Sequence, residues 1–136
     1  IEQLRRDEGE ALHAHEDHLG HVTIGVGRLI DKRRGGGISR EEAAYLLNND
    51  IARIDQTLRA RLPWFAALDE VRQCALVNMA FQLGTEGIMR FPKMLAAVRD
   101  GHYYDAEQHG LDSKWAREQT PARARRVMRQ LATGEW

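Results

Sequence analysis

With one cysteine, Cys74, among 136 residues, the chain forms no internal disulfide, and its fold cannot depend on one. The neighbours Val71, Ala75, Leu76 and Met79 recur at helical spacing, which predicts a buried, inert thiol rather than a nucleophile. No apolar run approaches the roughly twenty residues of a membrane span, and no signal-peptide pattern is present. The sequence therefore predicts no membrane insertion and a cytosolic chain when made. Net charge is absent too, but unevenly: residues 1–57 sum to −3 and residues 58–136 to +3. Low-complexity blocks and internal repeats are lacking, and 43% hydrophobic with 29% charged residues fits one compact globular domain. Starting at Ile1 and stopping at Trp136, the sequence is expected to be a trimmed chain or one domain of something longer.

What is there changes period along the chain. Residues 1–8 (IEQLRRDE) predict a short helix that Gly9 ends. Val22, Ile24 and Val26 then alternate with polar or small residues, the rhythm of a half-buried strand. After the glycine-rich turn DKRRGGG, Ser39 and Glu42 form an S-x-x-E capping pattern. Ala43, Leu47, Ile51, Ile54 and Leu58 keep one face of a long helix that Pro63 stops near Leu62. Further helices are predicted over 67–83, 91–100, 103–109, 112–117 and 120–132, the last with Thr120 as cap and Pro121 in its first turn. The expected fold class is α+β: a small N-terminal β-sheet lobe (1–38), a connecting helix (39–62) and a larger helical lobe (63–136).

Four histidines, His13, His15, His18 and His21, crowd around Asp17. His-x-His on a strand puts two imidazoles on one face, but H-E-x-x-H and paired C-x-x-C are missing, so no metal and no cofactor are expected. Gly25 and Gly27 lack the helix start and G-K-[ST] of a phosphate cradle; they suit a bent sheet or the close approach of a ligand or backbone. The carboxylates carry more chemistry. Glu8 ends the first helix, and Asp17 ends the first strand beside a turn containing Gly20. A three-residue loop over 18–20 would set Asp17 opposite His21 and His15 opposite Thr23, with side chains 13, 15, 17, 21 and 23 on one face; a two-residue loop would break that grouping. Two carboxyls and a hydroxyl facing a cleft are the parts of glycosidic hydrolysis, one acid for the leaving oxygen and one base for water.

These residues lie in ordered motifs: DEG at 7–9, D-x-x-G at 17–20, TIGVG at 23–27, CALVNMAFQLG at 74–84, SKW at 113–115 and QTPARARRV at 119–127. Together they closely resemble the phage-type lysozymes, the muramidases of T-even bacteriophages and their relatives. The resemblance implies a lysozyme-like fold with its cleft between sheet lobe and helical lobe, and a monomer acting on bacterial peptidoglycan. It implies cleavage of the β-1,4 bond between N-acetylmuramic acid and N-acetylglucosamine, with inversion. By the same carry-over, Glu8 is the general acid, Asp17 the partner carboxylate, and Thr23 helps place the attacking water. Leu29, Phe81 and Gln82 match substrate-groove positions, although periodicity alone suits Leu29 and Phe81 equally to core packing. Arg123 matches an arginine set beside the catalytic Glu. An enzyme of this kind would be made in the host cytoplasm and act on the wall after release.

The sequence departs from the pattern at His15, where an aromatic is usual, and at Arg28, where a histidine is usual; Asp50 is the expected partner of Arg28. The β region is short, and one extra residue falls near Arg117 and Glu118. The arginines 123, 125, 126 and 129 could suggest nucleic acid, but neutral net charge and the interleaved Asp112, Glu118 and Glu135 argue against it, so no nucleic-acid partner is expected. The rival class is a non-catalytic wall- or chitin-binding module on the same fold.

Overall fold

Ser39 and Glu42 make the reciprocal cap that their spacing predicts. In the computed structural model, which describes residues 1–136, Ser39 Oγ accepts from the Glu42 amide at 3.1 Å and the Glu42 carboxylate accepts from the Ser39 amide at 2.7 Å. Two orphan donors are thereby satisfied, and the helix α2 (Arg40–Arg61) starts there. The chain divides into two compact units, 1–46 and 47–136. The division falls inside α2 rather than at either end of it.

The first unit begins with α1 (Glu2–Glu8), closed by Gly9 at φ 76, whose amide donates to the Arg5 carbonyl at 2.9 Å. A three-stranded antiparallel sheet follows in the order β1 (Ala11–Glu16), β2 (Val22–Gly25), β3 (Arg28–Leu29). His15 pairs with Thr23 and Glu16 with Val22, and the Asp17 amide donates to the His21 carbonyl at 2.9 Å. This is the register of the three-residue loop, with Gly20 at φ 76, a conformation that side chains with a Cβ disfavour. One part of the expected face changes. Ala11 pairs with Gly25, so β1 carries extra residues between Ala11 and His15, and this bulge takes His13 out of simple alternation with His15.

No apolar side chain in residues 1–46 is fully buried; the buried residues there are Thr23 and Asp31. Asp31 caps a short 3-10 turn (Lys32–Arg34) and binds the Arg33 guanidinium, while Val22 N–H reaches its carboxylate at 3.3 Å. Arg33 also donates to the Gly20 carbonyl at 3.2 Å, so one carboxylate ties the hairpin loop to the turn after β3. The Arg33 side chain, aided by the Arg33 and Val22 amides and opposed by desolvation, holds Asp31 far below the usual carboxylate range.

The second unit contains the apolar core. Leu58, Phe65, Leu76, Met79, Met128 and Leu131 are among its fully buried side chains, each contributing roughly 1.5–3 kcal/mol by leaving water. They come from α2, from a 3-10 turn after it, from α3 (Glu70–Leu83) and from the last helix; α4 (Thr85–Ile88), α5 (Pro92–Arg99) and α6 (Tyr103–Leu111) pack around them. α3 starts at Glu70 rather than 67 because Asp69 accepts the Arg72 amide at 3.0 Å. The last helix, α7 (Pro121–Thr133), buries Ala124, Val127, Met128 and Leu131 and leaves Arg125, Arg126 and Arg129 outside that face. Arg72 donates to the Leu131 and Ala132 carbonyls, satisfying acceptors that the end of α7 leaves open. No helix is long and apolar enough to cross a membrane.

The helix expected over 112–117 is instead a π-type turn, Trp115–Gln119, in which the Thr120 amide reaches back to the Trp115 carbonyl at 3.0 Å. A π turn absorbs one residue more than an α turn, and this one lies where the extra residue is expected. It lets Trp115 stay buried in the core while Pro121 still opens α7.

Candidate active site

Glu8 is the last residue of α1, and its side chain runs against β-hairpin backbone at Gly27. A Cβ placed on Gly27 would lie 2.7 Å from Glu8 Oε2, and Gly27 itself has φ 66. The glycine thus leaves room for this carboxyl in a backbone conformation that other residues disfavour. The TIGVG motif contains the necessary residue, but the sequence does not disclose that its neighbour is Glu8.

Asp17 is held by the hairpin loop it begins. Its Oδ1 accepts the amides of Leu19 at 2.8 Å and His21 at 2.9 Å. The His21 amide is the main force lowering the Asp17 pKa; partial desolvation opposes it, and the Leu19 amide and the charges of His21 and His18 add to it. Asp17 is therefore an ionised carboxylate across the neutral range. Its second oxygen, Oδ2, accepts none of these amides and faces His21 Nδ1 at 3.6 Å. On the far side of that ring, Arg34 Nε donates to His21 Nε2 at 3.0 Å, which puts the proton of neutral His21 on Nδ1, toward Asp17.

Thr23 is buried on β2, and its hydroxyl meets His15 Nε2 at 3.3 Å, while His15 Nδ1 lies 3.3 Å from the His13 carbonyl. Leu29, half-buried on β3, is the cross-strand partner of Thr23. The first unit thus brings together the hydroxyl, Leu29 and His15, and it separately seats Glu8 on Gly27 and Asp17 on its loop. No three of the chain's His, Cys, Asp and Glu side chains converge as a metal-ligand set.

Arg28 takes Glu42 as its carboxylate partner, at 3.0 Å through Nη1, and also reaches the Gly37 carbonyl. Asp50 pairs with Arg53 on its own helix. The expected partnership of Arg28 with Asp50 is corrected accordingly: the glycine turn after β3 is short, so the first turn of α2 brings Glu42 to Arg28.

In the second unit Phe81 is 43% exposed on α3, and with Leu47, Ile51, Val77 and Arg123 it lines a hollow of about 380 Å³. Arg123 is fixed there by Asn78, whose side-chain oxygen accepts from Nε at 3.0 Å and Nη2 at 2.8 Å. Gln82 is committed locally: it accepts from Trp115 Nε1 at 3.1 Å and donates to Thr120 Oγ1 at 2.9 Å. Cys74, half-buried on the same hollow, has a raised thiol pKa through desolvation and the nearby Glu70 and Asp55, the opposite of an activated nucleophile.

A small antiparallel sheet with a buried hydroxyl, one carboxylate at the end of the preceding helix and another in its hairpin loop, together with a helical unit, makes a lysozyme-like α+β chain. Residues 5–131 match the family described as phage lysozyme, and the chain belongs to that family. Over 98% of its length it is 35% identical to the pre-baseplate central spike protein Gp5 of Enterobacteria phage T4, of which it spans 27%. It is 26% and 27% identical to probable T4-type lysozymes 1 and 2 of Dictyostelium discoideum, covering 98% of this chain and 93% of each relative. Membership in a lysozyme family supports glycoside hydrolase activity and a muramidase-like role.

Proposed function

We propose that the chain hydrolyses bacterial peptidoglycan at the β-1,4 bond between N-acetylmuramic acid and N-acetylglucosamine, with inversion at the anomeric carbon. Glu8 gives its proton to the leaving glycosidic oxygen. Asp17 takes a proton from the attacking water, and Thr23 holds that water in line. The observation that carries this reading is the state of Asp17: two amides fix Oδ1 and keep the group ionised, while Oδ2 accepts no backbone amide and has His21 Nδ1 no nearer than 3.6 Å. Phe81 offers a sugar an exposed aromatic face. Leu29 and Gln82 are assigned to the groove as well, Gln82 through whatever capacity its bonds to Trp115 and Thr120 leave. Arg123 supports the site, and Arg28 acts in stability through Glu42. Action as a monomer on the wall, after release from the cell that makes it, completes the reading.

Purified peptidoglycan incubated with the protein is expected to yield new reducing ends at a rate unchanged by chelator. Saturable binding with no new reducing ends would support the wall-binding module instead, and loss on chelation a metal-dependent hydrolase.

Gly27→Ala tests the seat of Glu8. The Glu8 carboxyl is the movable end of a side chain, so the added methyl displaces it rather than the backbone. The left-handed conformation costs about 1–2 kcal/mol, which the fold tolerates, whereas a catalytic group misplaced by about 1 Å can cost on the order of 100-fold. The expected result is a folded protein whose kcat is down by about that factor. Full activity would separate Gly27 from the acid's geometry.

A further inference from the structure

His15 and Thr23 face each other across the β1–β2 pair, and the imidazole is the partner of the buried hydroxyl. We infer that His15 is a positioning residue for Thr23: its protonation state decides whether Thr23 Oγ1 presents a lone pair or a proton to the attacking water. The inference rests on the reading of Thr23 as the residue that holds that water.

The hydrogen-bond chain sets the logic. The His13 carbonyl can only accept, so His15 Nδ1 carries a proton when the two meet. In neutral His15 the other nitrogen is then bare, and it accepts the Thr23 hydroxyl proton. Thr23 Oγ1 keeps lone pairs for one O–H of the water, and Asp17 Oδ2 can take the other. Both water hydrogens are then engaged, and its oxygen lone pair is free for the anomeric carbon. As the new C–O bond forms, Asp17 gains the water proton, the glycosidic bond breaks, and Glu8 protonates the leaving oxygen. In protonated His15, Nε2–H donates to Thr23 instead. The hydroxyl proton is released toward the water and competes for the lone pair that must attack.

The charged and titratable groups around this pair are His13 and Glu16 on β1, Asp17, His18 and His21 at the hairpin end, and Glu8, seated against Gly27. Arg28 on β3, the Arg33–Asp31 pair beyond Val22, and Arg34, which donates to His21, belong to the same region. Asp17 and Asp31 stay ionised, and Arg33 charged, throughout the neutral range. Three further imidazoles, His13, His18 and His21, lie within six residues of His15 in sequence, so a substitution at His15 itself is needed to isolate its effect.

His15→Gln supplies an amide oxygen that accepts from Thr23 but gains no proton in this range. Compared at about pH 7.5 and about pH 5.5, values that bracket the imidazole class, the wild-type kcat is expected to be lower on the acidic side, where Nε2–H replaces the bare nitrogen that accepts from Thr23. In His15→Gln the ratio of kcat at these two values is expected to shrink about fivefold or more, with KM little changed. Nitrogen NMR of the neutral wild-type ring is expected to show the proton on Nδ1. Thr23→Ala separates the two layers. If it leaves kcat intact, the water-holding role fails and the inference fails with it. If it lowers kcat about 100-fold while His15→Gln keeps the wild-type profile, or if the neutral ring carries its proton on Nε2, the inference alone is overturned.

Discussion

Glu8→Gln is expected to leave a folded protein whose release of reducing ends from peptidoglycan is about 100- to 10,000-fold slower, the range for loss of a general acid. Glutamine matches glutamate in shape, so the seat against Gly27 is retained, and Glu8 is exposed at the end of α1 with no buried partner to lose. What disappears is the proton. Departure of the sugar oxygen as an unprotonated alkoxide raises the barrier by about 1.4 kcal/mol for each factor of ten. The measurement is kcat on purified peptidoglycan, with far-UV circular dichroism to establish folding. Full activity in a folded Glu8→Gln variant would contradict the assignment of the acid.

Asp17→Asn is expected to cost a similar factor by a different route. The introduced asparagine would retain a carbonyl oxygen for the amides of Leu19 and His21, so the loop and the hairpin register should persist. Its other position becomes an NH2, which cannot accept a proton from water and points hydrogens at the site Oδ2 held. Loss of the negative charge also removes the partner that faces His21 Nδ1. The expected outcome is a kcat lower by about 100- to 10,000-fold with a nearly unchanged KM. A variant that kept kcat and raised KM would make Asp17 a binding group.

The parts of this molecule legible in the sequence are those whose chemistry is local. The Ser39–Glu42 cap, the hairpin loop ending at Gly20 and the amphipathic face of α7 each depend on residues a few positions apart. The pairing of His15 with Thr23 follows once the loop length is known. Contacts between distant residues are not legible in this way. Gly27 meets Glu8 across nineteen positions of sequence, and no periodicity joins them. Asp31, within DKRRGGG, has the look of a solvated charge, yet it is buried and ties Val22 to Arg33. Arg28 finds Glu42 because the length of a turn, which spacing leaves undetermined, sets which carboxylate arrives. Gln82 reads as free for a ligand, but Trp115 and Thr120, more than thirty residues away, engage both ends of its amide. The bulge in β1 likewise arises from pairing, since alternation alone continues straight through His13.

The most direct measurement is a time course of reducing ends released from purified peptidoglycan by the wild-type protein, with identification of the newly exposed sugar. N-acetylmuramic acid is expected at the new reducing end, released catalytically and in its inverted form. Stoichiometric binding without new reducing ends, or N-acetylglucosamine at the new end, would contradict it.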